Sequence, residues 1–178
     1  MRLILLASCV CLAACGKSDT IELSNASASD VANEMNKKDV AFVKPGQWEQ
    51  TATLVAMEAP GMPAEIAEAM KQRMGSSQVH KVCVTPEQAK NPKADMFTGP
   101  GQNCSYEHFK WGGGNVDMKL LCKHPQATQT MTLSGTYEPE SYHMAMTMTN
   151  NGSSAMENMT MQMKVDAKRV GECDASKG

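Results

Sequence analysis

Two short stretches of the chain carry methionine at every second position, and that spacing could support chemistry. Residues 144–148 and 159–163 both read Met-x-Met-x-Met, in a chain with 16 methionines among 178 residues. The thioether sulfur is a soft ligand that selects Cu(I), and the unbranched side chain also fills irregular apolar space. Whether these methionines bind metal or fill apolar space depends on the secondary-structure elements that position them.

Alternation with a period of two residues predicts that the stretches lie in β-strands. Residues 129–137 alternate apolar residues with Thr or Ser, and residues 142–148 continue the alternation after a four-residue turn. A register through that turn places Met131 opposite Met148, so the apolar sides of the two strands coincide.

Residues 159–165 predict a third strand of the same sheet. We expect Met148 to lie opposite Met159, and Met144 opposite Met163. The three strands then share one apolar side and one threonine-rich side. A slip of one residue would turn every methionine to solvent, so the face that they share is strongly specified.

The predicted methionine side admits three interpretations. It can be the core side of the sheet, a pliable pocket for an apolar ligand such as an acyl chain, or a soft-metal face that binds Cu(I). The runs resemble those of periplasmic copper carriers, but His143 falls on the opposite side, and no cofactor is expected. The threonine array resembles ice-binding surfaces, although a solvated sheet face explains it more simply. The candidate residues are Met131, Met144, Met146, Met148, Met159, Met161 and Met163.

A glycine-rich hairpin predicts one disulfide. A three-residue loop centred on the middle glycine of residues 112–114 places Cys104 opposite Cys122. The same register places Glu107 opposite Lys119, a favourable cross-strand charge pair. Glycine supplies the left-handed conformation that such loops need.

The remaining two cysteines beyond the N-terminal segment, Cys83 and Cys173, form the second predicted disulfide by subtraction. An even number of cysteines is typical of exported domains that are cross-linked. The spacings are wide and contain no Cys-x-x-Cys, which argues against a metal or redox site.

The N-terminus predicts export with a lipid anchor. Residues 1–14 begin with a positive charge at Arg2 and continue as an apolar run too short to span a bilayer, as signal peptides do. The run ends in Leu-Ala-Ala before Cys15, which resembles the bacterial lipobox. By that resemblance, Cys15 is acylated and anchors the protein in a membrane. Gly16 favours the outer membrane, with the protein facing the periplasm; the alternative is a secreted or soluble periplasmic protein.

The rest of the chain divides into a tether, a domain and a tail. Residues 15–44 hold the lipidated cysteine and a flexible tether rich in Ser, Ala and Asn, with a weak helix signal at 30–38. Residues 45–173 predict one antiparallel β domain, and residues 174–178 a C-terminal tail. We expect a mainly β fold: a single antiparallel meander of about seven strands that curls into a half-barrel or open barrel, with one or two short helices such as 64–74.

A series of short motifs occurs in a specific order along the domain. They are Pro45-Gly46-Gln47-Trp48-Glu49, Gly61-Met62-Pro63, Val82-Cys83-Val84-Thr85-Pro86-Glu87, Asn103-Cys104, Leu121-Cys122, Tyr142 with the first methionine run, and Gly171-Glu172-Cys173. Together they resemble a family of small exported bacterial proteins known as domain of unknown function 3617. The resemblance implies an exported, disulfide-bearing, β-rich domain. It brings no known activity, substrate or catalytic residue.

Charge and motifs narrow the function classes. Seventeen basic residues against 19 acidic residues give a net charge of −2, which argues against a nucleic-acid partner. No phosphate loop, dinucleotide fingerprint or nucleophile elbow occurs, and the histidines are scattered. We therefore expect a non-enzymatic envelope lipoprotein that contacts the bilayer through Cys15 and binds an apolar small molecule or a partner protein. The alternatives are a periplasmic Cu(I)-binding protein and a purely structural envelope protein.

Overall fold

The computed structural model describes residues 20–38, 43–75, 77–90, 103–153 and 158–173. The described strands are β1 (Ile21–Ser27), β2 (Gly46–Glu58), β3 (Gln78–Val84), β4 (Cys104–Gly112), β5 (Asn115–Lys123), β6 (Ala127–Glu138), β7 (Ser141–Gly152) and β8 (Met159–Gly171). The described helices are α1 (Ala28–Lys37), α2 (Ala64–Met74) and α3 (Pro86–Lys90).

All eight described strands belong to one open sheet in the order β1-β4-β5-β6-β7-β8-β2-β3, and every neighbouring pair is antiparallel. Strands β4 to β8 form the predicted meander, while β1 and β3 are the two edges. The mainly β, antiparallel, open architecture is therefore confirmed, with one more strand and one more helix than expected. None of the described helices is long and apolar enough to cross a membrane.

The prediction of a flexible tether over residues 15–44 is wrong for residues 21–37. Ile21 and Ala26 of β1 are buried against β4, and Val31 and Met35 of α1 are buried in the same core. The sequence of β1 shows no regular alternation because Asn25 has a positive φ of 53° and interrupts the pairing of β1 with β4. The interruption changes which residues point inward, so no simple alternation is visible.

A capping box begins α1 and explains why a helix forms here. The Ser27 side chain accepts a hydrogen bond from the Asp30 amide at 3.2 Å, and the Asp30 carboxylate accepts one from the Ser27 amide at 2.9 Å. The Ser27 hydroxyl also donates to this carboxylate at 2.6 Å. The two bonds to the carboxylate, first that from the Ser27 hydroxyl and then that from the Ser27 amide, hold the pKa of Asp30 below its usual value. Two helix-end amides are satisfied in this way, which stabilises the first turn.

The hairpin between β4 and β5 has the predicted pairing at its open end and a different register at its turn. Cys104 lies opposite Cys122, as expected, but the turn contains two residues, Gly113 and Gly114, both with positive φ. A bulge at Glu107 absorbs the difference, so His108 rather than Glu107 lies opposite Lys119 in the backbone register. The predicted charge pair is nevertheless present, because the Lys119 ammonium lies 2.6 Å from the Glu107 carboxylate. Two-residue turns with positive φ at both positions match the twist of paired strands, which explains the preference.

The β6–β7 register is confirmed, whereas the β7–β8 register is shifted by two residues. Met131 lies opposite Met148, as predicted, but Met148 pairs with Met161 instead of Met159, and Met144 pairs with Val165 instead of Met163. A shift of two residues preserves the face of every side chain, because strand side chains alternate with a period of two. The shared methionine side therefore survives the error in register.

The main core lies where α1 covers the β1–β4–β5 end of the sheet. Tyr106, Phe109 and Trp111 of β4 are at most 1% exposed, and the Trp111 ring stacks on that of Tyr137 with 4.5 Å between centroids. Burial raises the pKa of the Tyr106 hydroxyl well above its usual value. A smaller cluster surrounds Trp48, whose indole Nε1 donates to the Lys44 carbonyl at 3.0 Å.

Candidate functional site

The structure brings all seven candidate methionines onto one side of the sheet, but they are not equivalent. Met144 is only 8% exposed and belongs to the main core. The other six are half-buried and form a continuous surface, which we call the methionine face. Its members are Met131 of β6, Met146 and Met148 of β7, and Met159, Met161 and Met163 of β8.

Two rows of paired residues cross the sheet in this region. The first row is Met131, Met148, Met161 and Met57. The second row is Leu133, Met146, Met163 and Leu54. Directly opposed residues on neighbouring strands have Cβ atoms about 4.5–5.5 Å apart, so the side chains of each row are in reach of one another. Every side chain in the two rows is uncharged and apolar.

Strand β2 supplies two members of these rows that the sequence analysis missed, Leu54 and Met57. A bulge between Leu54 and Ala56 changes the side toward which β2 residues point, so Val55 is 52% exposed while Met57 is 5% exposed. Without the bulge, Met57 would point to the threonine-rich side. In the sequence, the only sign of this bulge is that the alternation along β2 is broken by one residue.

The position of helix α1 explains why the methionine face is less buried than the β4–β5 end of the sheet. The second row continues onto β5 and β4 as Met118 and Phe109, which are 3% and 0% exposed because they lie in the core next to α1. From Leu133 onward the same row is half-buried. Along this row the apolar sheet surface is therefore fully covered at its β4–β5 end and only partly covered from β6 to β8.

A polar group meets the rim of the methionine face. The side-chain amide of Gln129 donates a hydrogen bond to the sulfur of Met148, with 3.7 Å between Nε2 and Sδ. Asn150 lies opposite Met159 at the same end of the sheet. An apolar ligand lying on the rows would therefore find hydrogen-bonding groups at this end, where a polar head could be placed.

The opposite side of the sheet is polar, and its histidines pair with carboxylates. His143 Nδ1 lies 2.6 Å from Asp166 Oδ1, and all four side chains of the two His–Asp pairs described here are between 46% and 66% exposed. The second pair joins His108 and Asp117 at 2.5 Å. Two clefts of about 430 and 440 Å³ meet at Ser141 and His143, and neither is lined by the methionine face. His143 thus lies away from the methionines, as predicted.

Both predicted disulfides are present. Cys104 and Cys122 join β4 to β5 with 4.0 Å between Cα atoms, and Cys83 and Cys173 join edge strand β3 to the end of β8 with 5.4 Å between Cα atoms. Within the described ranges, no group of three or more His, Cys, Asp or Glu side chains is placed to hold a metal ion. The predicted lipidation site, Cys15, lies outside the described residues.

The fold and the methionine face define a class: a disulfide-bearing β domain built on one antiparallel sheet, with part of its apolar side only half-buried. The family model described as Protein of unknown function (DUF3617) matches residues 43–173, and the chain belongs to that family. Neither curated proteins nor solved structures provide a match to the chain.

Proposed function

We propose that this protein is a non-enzymatic envelope lipoprotein whose methionine face binds an apolar small molecule with a long unbranched chain. The observation that carries the proposal is the change from buried to half-buried along one continuous apolar row, from Met118 to Met146 and Met163. Contiguous apolar surface that is left open in a folded domain is typical of a binding site.

The dimensions and chemistry of the face favour an extended chain as the ligand. Its rows cross four strands, a width of about 14 Å at the usual strand spacing. Methionine side chains are flexible and polarisable, so they adapt to a chain of varying shape better than branched residues do. Gln129 and Asn150 at one end offer hydrogen bonds to a polar head group.

Replacing two methionines of the face by the similarly sized polar residue glutamine tests this proposal. We expect Met148→Gln combined with Met163→Gln to weaken binding of a fluorescent long-chain fatty acid about tenfold or more, because each unpaired amide covered by the ligand costs about 1–3 kcal/mol. The matched control is Met70→Gln on α2, which is half-buried but lies off the face. Equal affinity in both variants would exclude the methionine face as the site.

Native mass spectrometry of the protein purified from its own envelope complements the titration. The expected result is an apolar small molecule that co-purifies with the native protein and is lost in the glutamine variant. Co-purification of a protein instead of a small molecule, again lost in that variant, would replace the ligand proposal by a partner protein. A native protein that carries neither, and does not bind the fatty acid, would support the purely structural alternative.

The lipid anchor is proposed from the lipobox and is tested separately. We expect labelled palmitate to be incorporated into the native chain, which should fractionate with the outer membrane. Cys15→Ser should abolish the label, whereas Cys9→Ser and Cys11→Ser should retain it, because these two cysteines lie in the segment that is removed. Label that persists in the Cys15→Ser variant would contradict acylation at this position.

A second candidate, Cu(I) binding, is favoured by one specific arrangement. Met146 pairs with Met163 and Met148 pairs with Met161, so four thioethers lie on two adjacent rungs of β7 and β8. Under anaerobic Cu(I), a rise in the melting temperature that disappears in Met146→Leu and Met161→Leu would support it. Leucine preserves the apolar surface, so these variants should still bind the fatty acid. Absence of any Cu(I)-dependent stabilisation would exclude the candidate.

A further inference from the structure

We propose that the methionine face is a site of selective, reversible oxidation to methionine sulfoxide, with a peroxide or a hypohalous acid as the oxidant. The inference rests on how the fold distributes methionines between the open face and the core. It concerns the reactivity of the sulfurs and does not require the proposed ligand.

The fold divides its described methionines sharply by solvent access. Four lie in the interior: Met35, Met57, Met118 and Met144, which are 3%, 5%, 3% and 8% exposed. The six members of the methionine face are half-buried, and each has a neighbour in the same rows or on the same strand. An oxidant that reaches one of these sulfurs therefore meets several others within the same surface.

Other easily oxidised side chains in the described part of the chain are protected. All four of its cysteines are paired in disulfides. Trp48 and Trp111 are at most 1% exposed. Accessible thioethers are consequently the most reactive sulfur groups that this part of the protein presents to solvent.

The chemical step balances with a named oxidant. The thioether sulfur donates an electron pair to the terminal oxygen of the oxidant and forms an S–O bond, while the O–O bond of a peroxide or the O–Cl bond of hypochlorous acid breaks. Sulfur is oxidised by two electrons. The hydroxyl proton of a peroxide moves to the departing oxygen, which leaves as water or an alcohol, and the proton of hypochlorous acid is released to solvent as chloride leaves. A methionine sulfoxide reductase reverses the step: a dithiol supplies two electrons and two protons, becomes a disulfide, and releases the oxygen as water.

The position of the face allows the fold to survive this modification. A sulfoxide oxygen on the open face can accept hydrogen bonds from water, whereas the same oxygen at Met118 or Met144 would be a buried polar atom in an apolar core. Backbone pairing on both sides of β7 and both disulfides are unaffected by the reaction. Oxidation therefore converts an apolar surface into a polar one within an intact sheet.

Peptide mapping after graded exposure to hydrogen peroxide tests the proposal. We expect the six face methionines to be converted about tenfold faster than the four interior ones, in keeping with their access to solvent. Circular dichroism should show that the sheet is retained. Methionine sulfoxide reductase with its thiol donor should then restore the original mass. Equal rates in the two groups, or unfolding at the first oxidation, would overturn the inference.

A control background removes two accessible thioethers that lie off the methionine face. Met62 and Met70 are half-buried but lie on the segment between β2 and β3. In a Met62→Leu, Met70→Leu variant, peroxide should still abolish the fluorescence of anilinonaphthalene sulfonate bound to the protein, and the reductase should restore it. Oxidation of the face with unchanged dye fluorescence would contradict the conversion to a polar surface. If the protein does not bind the fatty acid, the expected oxidation rates in the peptide map are unchanged. The ligand proposal and the oxidation proposal can therefore fail independently.

Discussion

Replacing Cys83 and Cys173 together by alanine is expected to lower the free energy of unfolding by about 4–5 kcal/mol, the entropic effect of opening a loop of this length in the unfolded chain. The two cysteines are 90 residues apart in the sequence. Cys83 itself is exposed, so its replacement leaves no core cavity. Urea denaturation of the oxidised protein, followed by fluorescence of Trp48 and Trp111, measures the difference.

The structural position of this disulfide adds a local effect. Strand β3 is an edge that pairs only with β2, and nearly all of its side chains are exposed. Without the bond to Cys173, backbone pairing with β2 is the principal attachment of the strand. We therefore expect faster hydrogen exchange in β3 than in the meander strands of the same variant.

The second disulfide provides the comparison. Cys104 and Cys122 are 18 residues apart. Opening a loop of this length in the unfolded chain is expected to lower the free energy of unfolding by about 3 kcal/mol. Their replacement also removes a buried sulfur atom from the core, since Cys122 is 4% exposed. Unchanged stability after loss of Cys83 and Cys173, with a clear loss at the hairpin pair, would show that the long loop is already restricted in the unfolded chain.

Gly135→Ala is the second substitution with a large expected effect, a loss of about 3 kcal/mol from overpacking. A Cβ at this position of β6 would overlap the carbonyl oxygen of His143 and lie 2.9 Å from the Cα of Met144. Both are backbone atoms of β7, which cannot move aside without breaking the pairing of the two strands. Thermal and urea unfolding should show the loss.

Whether Gly135→Ala lowers or raises the stability decides whether the site is as crowded as the structure shows. Alanine is normally favoured over glycine inside a strand by about 0.5–1 kcal/mol, so a site with free space would gain stability. The matched control is Ser134→Ala, the preceding residue on the exposed side, which should change stability by less than about 0.5 kcal/mol. A neutral or stabilising Gly135→Ala would mean that β6 and β7 are further apart than the structure places them.

The central meander could be predicted because its turn lengths are readable. The turn after Tyr137 is short and contains proline, so the β6–β7 register followed from the sequence and was correct to the residue. No comparable turn signal joins β7 to β8, and there the register was wrong by two residues. The two-residue period of strands still placed the methionines on one side.

Interruptions of strand pairing account for most of what the sequence did not reveal. Glu107, Asn25 and Val55 each interrupt a pairing, after which the inward positions change from even to odd numbers or the reverse. Such an interruption makes a strand look irregular, so the sequence of β1 resembles a tether and Met57 does not stand out as a member of the rows. The partial cover of the face by α1 depends on long-range packing and leaves no local pattern.

The early start of β1 has a consequence for where the domain can sit in the cell. Ile21 is six residues after Cys15, and a fully extended chain of six residues spans at most about 20 Å. If acyl groups fix Cys15 in a bilayer, as proposed, the short segment between Cys15 and Ile21 holds the β1 edge close to the lipid head groups. Edge strand β3 is seven strand spacings from β1, about 34 Å measured along the sheet. The β1 edge would then stay near the membrane, whereas the β3 edge could lie up to about 34 Å farther away.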